Sequence, residues 1–253
     1  MSERVQEIDA AGEKKPAGVL LQKLHDPSYI TAATPSGEWV KEYVGRVFFS
    51  DDLETATPLN WAEIGGAGSG TAVARDTGKA AHGGASLKIS TKTSGQAEDD
   101  SVQAERKTAI GGGLIVRFKS RFLIDDLDKN KMMVFWLQYF DGATLHQAKI
   151  QFDTENLKWQ YLNSSNAWVD IGGGDSTLAE GVFHWFEMDV DFTLDKYLRF
   201  MATGLAKVLN YPVYTVADAV TAKHLSCVLE TTALTTDTAT AYYDDINCLE
   251  IGE

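Results

Sequence analysis

The sequence predicts an all-β protein, a two-sheet antiparallel jelly-roll sandwich preceded by an extended N-terminal arm. Its 253 residues are enough for one large β domain with an added segment. From residue 46 onward, short apolar segments recur at intervals of roughly ten residues with Gly, Asn and Asp between them, as in β-sandwiches. One stretch, residues 183–204, alternates clearly enough to indicate a β-hairpin.

Residues 1–45 differ in composition from the rest of the chain. They contain Pro16, Pro27 and Pro35, three of the 5 prolines, and their apolar residues come in small separated groups. This pattern is typical of an extended segment lying on another surface. We therefore expect an arm that docks on other protein subunits, in a homo-oligomer, through the apolar residues Val19, Leu20, Leu21, Tyr29, Ile30 and Trp39.

Residues 46–253 are predicted to form the sandwich domain. Its first strand is expected near residues 46–54, and Leu87 and Ile89 alternate with polar residues in another. Residues 216–220 are predicted as a short helix. Further strands are predicted at residues 114–124, 132–139, 148–152, 158–162, 167–171, 226–230 and 240–251.

The hairpin of residues 183–204 carries the clearest division between a buried and an outer face. Its turn is expected at Thr193–Asp195. Because strand side chains alternate between faces, one side is apolar and the other carries acidic groups beside aromatic rings. The residues predicted to point inward are His184, Phe186, Met188, Val190 and Phe192.

Charge and apolar patterning limit the function classes. A formal net charge of −13 with a pI near 4.8 would repel a nucleic-acid backbone. No run approaches the roughly 18 apolar residues that a membrane span needs, and the N-terminus lacks the apolar core of a secretory signal. Cys227 and Cys248 are expected to be buried free thiols. We expect neither nucleic-acid nor membrane binding.

Several short stretches resemble the concanavalin A-like lectin and glucanase superfamily, including its laminin-G-type domains. Residues 181–185, followed by the strand to Asp191 and by Thr203-Gly204, resemble its strand–turn–strand pattern. Residues 49–54, with Trp61 and the stretch 82–89, look like opening strands, and residues 243–246 like a closing strand. The resemblance covers residues 46–253 and implies a jelly-roll fold.

The stretch Glu187-Met188-Asp189-Val190-Asp191 is similar to the E-x-D-x-E strand of laminarinase- and lichenase-type glycoside hydrolases in that superfamily. Those enzymes use alternate carboxylates as nucleophile and acid/base. Here the last position is Asp, and the stretch lies in the Phe-His-Trp strand, which is a separate strand in those enzymes. We therefore expect no enzyme activity and treat Glu187, Asp189 and Asp191 as candidate ligand contacts.

Aromatic residues concentrate between residues 136 and 168, and two of them share a strand face. Trp159 and Tyr161 are two positions apart, so they point the same way and are candidates for stacking on a sugar ring. Core packing is the alternative, because most large aromatic side chains are buried.

Acidic pairs occur in the opening and closing strands at Asp51-Asp52 and Asp244-Asp245. Ca²⁺ takes clustered carboxylate oxygens, and the resemblance implies a structural calcium near these strands. The alternative is turn capping, which makes Asp common at strand ends. Beyond this calcium no cofactor is expected.

Two non-catalytic functions follow from these features. The arm and sandwich together favour a phage-type virion surface protein, for capsid decoration or cementing, assembled in the host cytoplasm. The alternative is an extracellular carbohydrate-binding module that recognises a polysaccharide through a concave aromatic face. A glycoside hydrolase is the least favoured hypothesis.

Overall fold

A computed structural model describes residues 29–33, 39–54, 59–64, 70–110, 114–173, 176–218 and 222–251, with side chains from residue 47 onward. Within these ranges every regular element is a β-strand, which confirms the predicted all-β class. The same part of the chain contains no helix that could cross a membrane. All strand pairings are antiparallel, and they form two sheets.

Sheet 1 has nine strands in the order β1-β2-β17-β7-β12-β13-β14, with β5 also paired to β17 and β4 to β5. Its strands are β1 (Tyr29–Ala33), β2 (Trp39–Asp51), β4 (Ala72–Asp76), β5 (Ser86–Ser90), β7 (Ile115–Ile124), β12 (His184–Asp191), β13 (Lys196–Ala202), β14 (Leu205–Pro212) and β17 (Thr240–Ile251).

Sheet 2 has eight strands in the order β11-β10-β9-β8-β16-β6-β3, with β15 paired to β9. Its strands are β3 (Ala62–Ile64), β6 (Ser101–Ala109), β8 (Asn130–Phe140), β9 (Thr144–Asp153), β10 (Lys158–Leu162), β11 (Trp168–Asp170), β15 (Tyr214–Ala217) and β16 (His224–Ala233).

Aromatic rings from both sheets fill the space between them. Phe135 of sheet 2 stacks on Phe186 of sheet 1, with ring centroids 3.9 Å apart and planes inclined by 11°. Trp159 packs against Phe122 and Phe200 at centroid distances of 5.9 and 5.0 Å. The five hairpin residues predicted to point inward are all buried, so that prediction is confirmed: His184, Phe186, Met188, Val190 and Phe192.

The last strand is the structural centre of sheet 1. β17 pairs along one side with β7, and along the other first with β5 and then with β2. The register shifts between Asp244 and Asn247, at the point where one edge partner replaces the other. The closing strand β17 thus pairs with the opening strand β2.

Residues 205–217 differ from the sequence prediction. The short helix expected from residue 216 is wrong where the chain is described, since Tyr214–Ala217 is a strand paired with Thr144–Gln147 of β9. Hydrogen bonding to an existing sheet edge stabilises these four residues more than a single isolated helical turn would. The nucleation of such a turn is unfavourable in free energy.

The predicted boundary between residues 45 and 46 falls inside β2. Tyr29 and Ile30 lie in β1 and Trp39 begins β2, although their side chains are outside the description. Val19, Leu20 and Leu21 lie outside the described residues. A docking role for residues 1–45 stays a prediction.

Cys227 and Cys248 are free and buried, as expected. They are not on neighbouring strands, because β16 belongs to sheet 2 and β17 to sheet 1. Burial raises the pKa of the Cys227 thiol well above its usual value, and the nearby Cys248 adds to the effect.

Candidate functional site

Two acidic residues of β12, Glu187 and Asp189, lie on the outer face of sheet 1, where arginines bind them. Asp189 receives two hydrogen bonds from Arg117, at 2.7 Å from Nε and 2.9 Å from Nη2. Arg199 donates to Asp189 at 3.0 Å and to Glu187 at 2.6 Å. Arg117 Nε also lies 3.3 Å from Glu187. Both carboxylates are therefore part of a charge-assisted hydrogen-bond network.

Asp191 has a different role from the other two acidic residues. Its Oδ1 accepts hydrogen bonds from the backbone N–H groups of Thr193 and Leu194, at 2.8 and 3.0 Å. It therefore caps the turn of the β12–β13 hairpin. The structure does not place it as a ligand contact, because its carboxylate is buried in the turn.

A depression of about 440 Å³ lies beside Glu187 on the same face. Its base is formed by strands β7, β12 and β17, with β2 at one edge. We call it the sheet 1 groove, and its lining side chains include Ser50, Lys119, Arg121, Trp185, Glu187, Asp245 and Asn247.

The two aromatic residues predicted to contact a sugar point into the sandwich instead. Trp159 is only 2% exposed and belongs to the core. Tyr161 is 7% exposed and stacks on Tyr211 at a centroid distance of 4.8 Å. This corrects the predicted ligand surface: the apolar pair of β10 faces inward because it buries more apolar area there.

The opposite face of β10 and its neighbours carries polar side chains on the outside of sheet 2. We call this surface the amide face, and it consists of Gln103, Trp136, Lys149, Gln151, Gln160, Trp168, Asp170 and Glu230. Strand alternation could have revealed it, since Trp136, Lys149, Gln151 and Gln160 each sit between inward-pointing residues. Trp136 and Trp168 lie three strand spacings apart, roughly 14 Å.

Hydrogen bonds join the side-chain amides into two short chains across the sheet. Gln151 donates to Gln160 at 2.7 Å, and Gln160 donates to Asp170 at 2.8 Å. On the other side of β8, Gln103 donates to Glu230 at 3.0 Å. The amide planes are thereby held in fixed orientations across neighbouring strands.

Two buried polar atoms of the amide face have no hydrogen-bond partner among the described residues. They are the indole N–H of Trp136 and Oε1 of Gln151. A buried polar group without a partner costs free energy. Such atoms are suited to a ligand that supplies an acceptor for the indole and a donor for the amide oxygen.

The charged members of the amide face have shifted pKa values. The Lys149 ammonium lies 3.4 Å from the centroid of the Trp136 ring, and burial lowers the pKa of Lys149 to about 8. Burial raises the pKa of Glu230, and the charge of Lys149 partly opposes that rise. Shifted pKa values occur at functional sites and also in buried structural pairs, and here burial is the main cause of both shifts.

The four acidic residues considered for calcium have protein partners. Asp51 accepts from Arg106 at 2.5 Å and from the Trp61 indole at 3.1 Å. Asp244 accepts from three backbone N–H groups, and Asp245 pairs with His82. Asp52 accepts from the Glu54 N–H at 3.2 Å. In the described ranges, no three His, Cys, Asp or Glu side chains are grouped to hold a metal, and a structural calcium stays a prediction.

Comparisons with known proteins support the fold. No protein-family model matches the chain, and no curated protein matches its sequence. Among solved structures, the cellulose-induced protein Cip1 has a TM-score of 0.54 at 18% identity, covering 79% of this chain and 96% of its own.

A Bacillus subtilis protein of unknown function with a galectin-like fold has a TM-score of 0.52 at 10% identity, covering 83% of this chain and 98% of its own. The lectin UEA-II, complexed with galactose, has a TM-score of 0.50 at 9% identity, with coverages of 82% and 99%. The fold is therefore a lectin-like jelly-roll sandwich, consistent with the concanavalin A-like architecture. None of the three is described as a virion protein.

Proposed function

We propose that the protein binds a neutral polysaccharide on the amide face. The observation that carries this proposal is the arrangement of side-chain amides and carboxylates across neighbouring strands, between the half-buried indole of Trp136 and the exposed one of Trp168. A side-chain amide donates and accepts hydrogen bonds, so it complements hydroxyl groups that do the same. The indoles supply apolar contact beside the polar groups.

The length of the surface favours an extended saccharide over a single sugar. The roughly 14 Å between the two tryptophans exceeds the width of one pyranose ring. The bound galactose of the lectin UEA-II, which has a similar fold, also supports a saccharide ligand. The matches thus favour the carbohydrate-binding alternative over the virion-surface hypothesis.

We infer that binding proceeds without cleavage of the saccharide. Glu187 and Asp189, which resemble a hydrolase pair in sequence, are paired with Arg117 and Arg199. The oxygens of both carboxylates accept hydrogen bonds from guanidinium groups, whereas glycoside hydrolysis needs a carboxyl group directed at the glycosidic oxygen.

Affinity gel electrophoresis tests the proposal, with mixed-linkage β-glucan, xylan and galactomannan as probes. At least one should retard the wild-type protein. Trp168→Ala and Gln160→Ala should each weaken that retardation at least about tenfold, equivalent to ~1.4 kcal/mol. Both residues are near the edge of sheet 2, so the variants should remain folded.

Leu194→Ala is the matched control, because Leu194 is an exposed apolar residue at the hairpin turn of sheet 1. It should bind as the wild type does. The proposal is wrong if no neutral polysaccharide binds, or if the control weakens binding as much as Trp168→Ala. A reducing-sugar assay on the same mixtures should show no turnover.

A further inference from the structure

We propose that the sheet 1 groove is a second binding site and that it takes a carboxylate-bearing sugar, a hexuronate. The groove lies on the opposite side of the sandwich from the amide face, so the inference does not depend on the neutral-polysaccharide proposal. Its volume of about 440 Å³ lies within the usual range for small-molecule sites.

Two cations line the groove without a close anionic partner. Among the residues that the structure describes, no carboxylate lies within ion-pair distance of the Lys119 ammonium. Arg121 approaches Asp245 only to 3.9 Å and keeps 43% of its side chain exposed. Lys119 and Arg121 are two positions apart on β7, so their side chains leave the same face of the strand and both point into the groove. Their Cα atoms are roughly 7 Å apart.

The nearby carboxylates are occupied by other partners. Glu187 stands opposite Lys119 in the strand pairing, yet it accepts from Arg199 at 2.6 Å. Asp245 pairs with His82, and Asp244 accepts backbone N–H groups. Burial lowers the pKa of the Lys119 ammonium, and the charges of Glu187 and Asp245 oppose that lowering without forming a direct ion pair with it. A ligand carboxylate would supply a direct counter-charge and can accept two parallel hydrogen bonds from a guanidinium.

The remaining lining groups suit a polyhydroxylated ring. Trp185 stands opposite Arg121 and is half-buried, so part of its indole is available for apolar contact. Ser50 is exposed at the rim, where its hydroxyl donates to Asn247 at 2.6 Å. A hydroxyl also has acceptor capacity for a ligand hydroxyl.

The formal net charge of −13 opposes a long acidic polymer at a distance. Binding should therefore come from short-range contacts in the groove, and a short oligosaccharide is the appropriate probe. Because the contact is ionic, added salt should weaken it.

The experiment is a ¹⁵N NMR titration of the full chain with two probes: a galacturonic acid trisaccharide and the galactose trisaccharide of the same linkage. We expect the acidic probe to shift the backbone amides of β7 and β17 around Lys119, Arg121 and Asn247. The neutral probe should bind there at least about tenfold more weakly. This comparison needs no variant and is unaffected by folding defects.

Variants assign the effect to the two cations. Lys119→Met and Arg121→Gln should each weaken binding of the acidic probe at least about tenfold. Lys223→Met removes the same charge at an exposed position outside the groove and should bind as the wild type does. Trp168→Ala, on the amide face, should also leave binding of the acidic probe unchanged.

Several results would overturn the inference. They are equal binding of both probes in the groove, shifts confined to sheet 2, no shift at millimolar probe, or preference for a sulfated trisaccharide over the uronate. Loss of acidic-probe binding in Trp168→Ala would do so while leaving the amide-face proposal intact. Conversely, uronate binding in the groove without any neutral-polysaccharide binding would sustain this site and contradict the amide-face proposal.

Discussion

At the scale of single residues, the main feature of sheet 1 is a buried ion-pair network. The side chains of Arg117 and Asp189 are only 8% and 6% exposed to solvent. Arg199 contacts both Asp189 and Glu187 and so links the two carboxylates. Burial lowers the pKa of Arg117, but the hydrogen bond and charge of Asp189 outweigh it and leave that pKa raised. Buried charged side chains are tolerated only while each of them keeps its oppositely charged partners.

Removing one charge from this network should be costly. We expect Asp189→Asn to lower the free energy of unfolding by about 3–5 kcal/mol, since it replaces the buried carboxylate that Arg117 and Arg199 share with a neutral amide. Urea denaturation measures the loss. Asp125→Asn, which breaks the exposed pair with Lys79, is the control and should cost ~0–1 kcal/mol. Equal losses in the two variants would contradict the prediction.

The lowered pKa of Lys149 predicts a pH dependence of stability. Its folded value of about 8 lies below the unfolded value of about 10.4, so the unfolded chain binds more protons between them. The contribution of Lys149 to the free energy of unfolding therefore rises with pH in that window. We expect the difference in unfolding free energy, wild type minus Lys149→Met, to increase from about pH 7.5 to 9.5.

Urea denaturation at several pH values gives this difference, and an NMR titration of the Lys149 side chain gives its midpoint directly. A difference that does not change with pH would contradict the prediction, as would a midpoint near 10.

At the scale of elements, the β12–β13 hairpin combines strong alternation with a capped turn. Asp195 has a φ of 54°, a left-handed conformation that Asp tolerates better than most residues. Asp191 fixes the start of the turn by accepting two backbone N–H groups. Alternation in the sequence predicted the inward face of β12, whereas the capping role of Asp191 required the conformation of the turn.

Asp191→Ala should therefore lower the free energy of unfolding by about 1–2 kcal/mol, because two hydrogen bonds to a charged acceptor are exchanged for bonds to water. Chemical denaturation gives the magnitude. Asp191→Asn retains one acceptor oxygen and is the matched variant, expected to lose less. A loss for Asn as large as for Ala would show that charge, and not capping, is the property that matters.

At the scale of the whole molecule, the sandwich depends on strands that are distant in the sequence. β17 is covered on one side by β7 and on the other by β5 and β2. Within β2, Arg46 and Val47 pair with Glu250 and Leu249, and Phe49 packs against Trp61 in the core. β2 thus covers this side of β17, and β1 pairs with the outer side of β2.

Truncation separates the arm from this strand. A variant lacking residues 1–45 keeps Arg46–Asp51 and most of its pairing with β17, so it should fold. A variant lacking residues 1–51 exposes the edge of β17 and removes Phe49, and we expect a clearly lower Tm and faster amide exchange in β17. Thermal unfolding and hydrogen exchange test both variants. Identical Tm values would show that β2 contributes little to the sandwich.

The sequence by itself determined the fold class and the inward face of the hairpin, because alternation and turn residues are local properties. It singled out Trp159 and Tyr161 of β10, which face the core, whereas the ligand surface that we propose carries Trp136 of β8 and Trp168 of β11. An alternating strand has two faces, and when both carry aromatic or long side chains only packing decides which one is buried.

Apart from the β12–β13 hairpin, the tertiary structure decided which strands are neighbours. β16 and β17 are consecutive in the chain yet lie in different sheets, and the sheet 1 groove joins side chains from β2, β7, β12 and β17. It also paired Glu187 and Asp189 with Arg117 and Arg199, which no local pattern in the sequence connects to them. Antiparallel pairing is set by contacts between distant segments, so neither surface could be assembled from local patterns.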